Sequence, residues 1–468
     1  MSETKKSAAE LLQEDLLTSG KNKVLKLSAK DLSEADSFCE GYKAFLNEAK
    51  TEREAVTCAI RMLNAGGFEE FDRNKRYEAG DRVYLNNRGK ALVIATIGKR
   101  SLSEGVHLVA AHIDSPRIDL KPVPLYEDGQ LALFKTHYYG GIKKYQWTAM
   151  PLSLHGIIVK KDGTQLTVHI GEEENDPVFC ISDLLPHLGM EQSKRTLAHG
   201  IKGEELNVLV GSRPYPDEKI SDPIKLNVMK LLHDKYGIVE SDFISADLCL
   251  VPAFKARDVG FDRSLIGAYG HDDRVCAYTA LQAAIECAKP DFTSVTVLTD
   301  KEEVGSDGNT GLQSRYLEYF IADLAKPHQI DGRLVLSNSK CLSADVNAAF
   351  DPTFPGVYEK QNSAFVNQGI VITKYTGSGG KGGTSEAAAE FVAYIRDVLD
   401  KNGVLWQTGE LGKVDEGGGG TVAKFLANLD IDVIDAGVAV ISMHAPYEIV
   451  AKVDVYNTYA AFKAFLNA

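Results

Sequence analysis

The sequence predicts an α/β protein whose sheet domain, residues 1–118 and 246–468, is interrupted by a β-rich insertion over residues 119–245. Three observations carry that prediction. Outside the insertion, helical patterns alternate with short apolar runs, as in a sheet covered by helices. The run "GVHLVAAHIDS" at 105–115 is almost continuously apolar, as a strand buried on both faces requires. Between 119 and 245 the texture changes to short alternating segments such as "LALFKTHYYG", "LSLHGIIVK" and "QLTVHIG", separated by polar turns. At 468 residues with 44% hydrophobic side chains, the chain exceeds what one core usually organises, so two domains are expected.

In order, the chain starts with a polar, amphipathic stretch, "MSETKKSAAELLQEDLL". Residues 29–66 read as two helices. Thr51 with Glu54 forms a capping box for the second, and Gly66 and Gly67 close it. Residues 82–98 read as a hairpin turning at 87–89, followed by the apolar strand at 105–115. After the insertion come a helix at 274–289 stopped by Pro290, a strand at 294–299 and a helix at 384–402 closed by Gly403. A strand near 433–442 and a last helix at 453–466 complete the chain.

Composition excludes several partners. With 65 acidic against 52 basic residues the net charge is −13, which repels nucleic acid and anionic membrane. No apolar run approaches the roughly 20 residues that span a bilayer. The seven cysteines are scattered and never form a C-x-x-C pair, which fits reduced thiols and a cytoplasmic location.

Five places put metal-type ligands where a strand should stop: "AHIDSPR", "GHDDRV", "TDKEEVGS", "SADVNAAFDP" and "VISMHAPYE". His112 and Asp114 are two apart and share one face of a strand, so the carboxylate is positioned to orient the imidazole. Taken singly, each place has an ordinary explanation: a helix cap for Asp272 and Asp273, a solvated turn for the paired glutamates, a satisfied histidine for His444. Together they occupy the carboxyl ends of the expected strands, the edge where open α/β sheets bind ligands. Two histidines and three carboxylates are a ligand set for a pair of zinc-type divalent ions, with one carboxylate bridging. A further carboxylate then remains as a base for a metal-activated water.

In this order "HIDSPR", "GHDDRV", "DKEEVGS", "SADVNAAFDP" and "MHAPYE" resemble the metal-site motifs of the aspartyl aminopeptidase and vacuolar aminopeptidase I family of metalloaminopeptidases. The resemblance implies a zinc-exopeptidase-like catalytic domain with a mixed sheet, and an inserted domain that mediates dimerisation. It implies two divalent ions, zinc first with manganese or cobalt as alternatives. One ion is held by Asp272, Glu303 and His444, the other by His112, Asp272 and Asp345, with Asp272 bridging and Glu302 as general base. It further implies peptide substrates and a tetrahedral dodecamer built from dimers. His187, in "DLLPHLG", would then reach a neighbouring subunit's site and stabilise the oxyanion.

Two glycine runs, "GSGGKGGTS" and "DEGGGGTV", invite a phosphate-cradle reading. A P-loop needs Ser or Thr directly after Gly-Lys, and Gly382 stands there instead. Close backbone approach to a peptide and plain loops stay open as readings of these runs. An acidic N-terminal side chain would require a cationic group in its pocket, for which Lys374 and Lys381 are the candidates. Two other functions compete with an aminopeptidase: a carboxypeptidase or amide deacylase on the same core, and an assembly scaffold without catalysis.

Overall fold

In the computed structural model, which describes residues 6–17 and 22–468, four parallel strands form the centre of a nine-stranded mixed sheet. They are Thr293–Thr299, Val106–His112, Lys340–Ser343 and Asp432–Gly437, adjacent in that order. Every residue of the first two is buried. The pleat explains why the apolar run is continuous: Val109 and Ala111 enter one core, Leu108 and Ala110 the other. The first core is closed by helices Ala29–Glu48, Glu52–Ala65, His271–Glu286 and Lys452–Leu466, the second by Tyr316–Ala325, Gly332–Ser337 and Ala423–Ala427. The Thr51–Glu54 capping box forms as the sequence predicts.

The seven-stranded antiparallel sheet draws its strands from 117 to 252 and has its own core, with Trp147, Leu154 and Val208 buried at its centre. Helix Pro223–Tyr236 packs Ile224 and Val228 into that core.

Two local expectations shift, and one sheet is new. The helix expected from 384 begins at Ala389. Residues before it close the glycine loop instead, through a bridge between Tyr375 and Glu386 and a bond from the Ala387 N–H to the Lys374 carbonyl. The strand expected at 433–442 is two strands, Asp432–Gly437 in the main sheet and Ala439–Ile441 in a small five-stranded sheet. That third sheet was not expected, because its strands, such as Glu448–Ala451, span four residues or fewer and carry too little periodicity to read.

Candidate metal centre

Parallel register brings the strand-end residues to one edge. Thr299 lies opposite His112, and Ser343 opposite Ala110, so all three chains leave the sheet on the same side. His112 ends its strand, and Asp345 follows Ser343 by two residues. After Thr299 the chain turns through Lys301, whose φ is 67°, and presents Glu302 and Glu303 on a short turn. Asp272 and Asp273 head the helix His271–Glu286, but their backbone is not helical and Gly270 is the cap. The helix-cap explanation for these aspartates therefore does not hold. His444 comes from the turn after Ala439–Ile441, at a φ of 64°.

Asp272 stands between the two histidines. Its Oδ1 is 3.1 Å from Nε2 of His112, and its Oδ2 is 3.2 Å from Nε2 of His444. Glu303 lies 3.6 Å from His444 Nε2, while Asp345 and Glu302 lie 3.8 and 3.9 Å from His112 Nε2. At this edge two groups have ligand atoms within 4.8 Å of one another: His112, Asp272, Glu303 and His112, Asp273, Asp345. Two donors on one tetrahedral zinc are about 3.3 Å apart, given bonds of about 2 Å, so the short distances around Asp272 suit a shared cation. Oδ1 of Asp272, both oxygens of Asp273 and Oε1 of Glu303 are buried without a hydrogen-bond partner. Buried acceptors are otherwise almost always partnered, and a cation would satisfy these.

Hydrogen bonds fix which imidazole nitrogen faces inward. Nδ1 of His112 lies 3.0 Å from the Asp114 carbonyl and Nδ1 of His444 2.9 Å from the Gly141 carbonyl. With Nδ1–H donating to a carbonyl, Nε2 of each neutral ring is left free to bind a cation lying between it and Asp272. The Asp114 carboxylate also accepts the backbone N–H groups of Glu302 and Glu303 and the hydroxyl of Tyr139.

Charge is unbalanced here. Burial, with Asp272 adding repulsion, pushes Glu303 well up, and burial does the same to Asp345 and Asp273. Burial likewise pushes Glu302 up to about 7, against the pull of His112. Burial also works against the charge of Asp272, but His112 and His444 hold it below the usual carboxylate range. His444, although burial lowers it, is raised to about 10 by Asp272. The side chains alone supply too little positive charge for five clustered carboxylates.

Several of these contacts could not be read from the sequence. Tyr139 and Gly141 reach the centre from the insertion. Glu448, the last residue of "MHAPYE", is buried and accepts the N–H groups of both Asp272 and His444. Asp273 stood in the quoted motif without a role. Other expected residues lie apart from the centre. His187 is exposed on the turn Pro186–Leu188, beside exposed Leu185, Leu188 and Met190. Lys374 and Lys381 both face Glu386, at 3.7 and 2.9 Å, and make no ion pair with the centre among the described residues.

Comparison with known proteins bears on this arrangement. Residues 45–466 match the peptidase family described as aminopeptidase I zinc metalloprotease (M18). A probable M18 family aminopeptidase 1 from Clostridium acetobutylicum is 50% identical over 461 residues, 97% of this chain and 99% of that one. The crystal structure of an M18 family aminopeptidase from Thermotoga maritima superposes with a TM-score of 0.92 at 44% identity, over 96% of this chain and 100% of that one. The S. cerevisiae mApe1 dodecamer shares the fold at 23% identity, with a TM-score of 0.75 over 92% of this chain and 97% of that one.

Proposed function

The chain belongs to the aminopeptidase I zinc metalloprotease (M18) family, and from that premise we propose that it removes N-terminal residues from peptides at a dinuclear centre with Glu302 as general base. The observation that carries the reading is Asp272, whose two oxygens face two different histidines at 3.1 and 3.2 Å as a bridging carboxylate would. Asp272, Glu303 and His444 would hold one ion and His112, Asp272 and Asp345 the other, with Asp114 orienting His112. Two zinc ions, or manganese or cobalt in their place, would supply Lewis acidity toward the scissile carbonyl and lower the pKa of the attacking water.

The protein's own groups do the rest. Glu302 takes a proton from the attacking water and passes it to the leaving amine. A proton affinity near neutrality suits that exchange, and burial moves Glu302 in that direction. A cavity of about 580 Å³, lined by Tyr145, Phe354, Tyr358, Met443 and His444, opens beside His444 and falls in the size range of small-ligand pockets, room for the first residues of a peptide. Reading Lys374 and Lys381 as contacts for an acidic N-terminal residue requires Glu386 to release them.

We further propose that residues 119–245 form a dimerisation domain and that dimers assemble into a tetrahedral dodecamer. The exposed apolar residues around His187 support burial against another copy. The dodecameric mApe1 supports the number. His187 would then serve a neighbouring subunit as the oxyanion donor. None of the described helices is long and apolar enough to cross a membrane, and all seven cysteines are free, which fits the cytoplasm.

The test is a panel of aminoacyl chromogenic substrates with added zinc, manganese or cobalt, each run beside its N-acetylated counterpart. Hydrolysis restricted to the free-amine substrates is expected. Equal hydrolysis of the acetylated series would replace the aminopeptidase reading with an amide deacylase that does not read the free amine.

A further inference from the structure

Glu448 has no part in the chemistry above, yet it is among the most deeply placed acids in the molecule. It is 1% exposed and forms no ion pair among the described residues. A buried carboxylate without a cation is costly, so its partners matter. Its Oε2 accepts the N–H of Asp272 at 3.0 Å, and its Oε1 accepts the N–H of His444 at 2.7 Å. Each oxygen thus holds the backbone of a different loop. Asp272 and His444 are 172 residues apart, and their side chains meet at 3.2 Å.

The fold explains the reach. Glu448 begins the strand Glu448–Ala451, which pairs antiparallel with Leu265–Ala268, so Ala268 lies directly opposite it. From Ala268 the chain runs through Gly270 to Asp272. On the other side, Glu448 closes the turn that carries His444 at a φ of 64° and Ser442 at 60°. Left-handed backbone is unfavourable for such residues and persists only where the surroundings impose it. The bond to the His444 N–H is one such restraint.

We propose that Glu448 is a positioning residue, holding the Asp272 and His444 loops at the spacing a shared cation needs. This deepens the dinuclear reading and rests on it. Two acceptor oxygens are required: an amide offers one oxygen, and its NH₂ group would face an N–H donor. Glu448→Gln therefore keeps the shape while breaking one of the two holds.

The experiment is zinc titration against a competing chelator for the wild type, Glu448→Gln and Glu302→Gln, with thermal unfolding of each metal-free protein. Outer partners of metal ligands typically contribute 10- to 100-fold in affinity, so Glu448→Gln should bind zinc about that much more weakly. Its metal-free unfolding midpoint should stay close to wild type, and Glu302→Gln should keep wild-type affinity. Wild-type zinc affinity in Glu448→Gln overturns the inference while leaving the dinuclear reading intact. A wild type that binds no zinc overturns both. Should Glu448→Gln not fold, Glu448→Asp decides by the same titration, because its shorter carboxylate reaches one loop but not the other.

Discussion

Two histidine–carboxylate clusters, one at the insertion's junction with the main domain and one at the edge of the main sheet, are built differently. At the junction, His155 sits between Glu54, 2.7 Å from Nδ1, and Glu172, 3.1 Å from Nε2. Lys50 adds a bond of 2.6 Å to Glu172 and two to the carbonyls of Pro252 and Phe254. Two cations meet two carboxylates, and no side-chain atom of these four residues is buried without a partner. Despite its burial, His155 is raised by Glu172 and Glu54, and Glu172, also buried, is held down to about 2 by His155 and Lys50. At the sheet edge, by contrast, two histidines face five carboxylates, and four buried oxygens lack partners. Residue types alone do not distinguish the two, since Glu54, His155 and His169 also have ligand spacing. What separates them is completion: one cluster has its hydrogen bonds closed, as a structural tie does, and the other leaves acceptors that a cation would satisfy.

Substitutions should divide along this line. Asp272→Ala should remove both ions, since the proposed bridge has it serve each, and abolish activity; elemental analysis of the purified variant checks the first and hydrolysis of the preferred substrate the second. Glu302→Gln should keep both ions and lower kcat by roughly a hundredfold to ten-thousandfold, the range of a general base. Metal content and kcat measured on one preparation test this.

At the junction the outcome should reverse. His155→Phe leaves Glu54 and Glu172 facing each other with one cation, a loss of about 3–5 kcal/mol of stability by denaturant unfolding, with zinc content unchanged. The pH dependence has a definite sign. The folded pKa of His155 is raised above its unfolded value, so its stabilisation is complete below about pH 6.5 and is lost as pH rises through the folded value. The stability gap between wild type and His155→Phe should therefore be widest near pH 6 and narrow in alkali. A gap that widens with pH would contradict the imidazolium tie. Smallest of all, Tyr139→Phe removes one neutral donor from Asp114, worth about 1 kcal/mol, and should lower zinc affinity several-fold.

The sequence made the sheet edge legible because parallel strands end together and their polar residues follow within a few positions: His112 closes one strand, Glu302 and Glu303 follow Thr299, and Asp345 follows Ser343. The supports were illegible because they come from far along the chain. The Gly141 carbonyl that orients His444 is 303 residues away in sequence, and Glu448 joins two loops through a sheet whose strands are too short to leave a pattern. Asp273 was hidden by its neighbour, since a two-aspartate helix start is common and only the non-helical backbone sets it apart. His155 shows the reverse. It sits in an ordinary alternating strand, and nothing in that pattern marks it as the centre of an ion network.

The most direct test is anomalous diffraction at the zinc edge from crystals of the zinc-saturated protein, because it examines both clusters in one map. Two peaks are predicted, both against Asp272, one toward His112 and Asp345 and the other toward His444 and Glu303, with none at His155. A peak among Glu54, His155 and His169, or no peak at Asp272, would contradict the account.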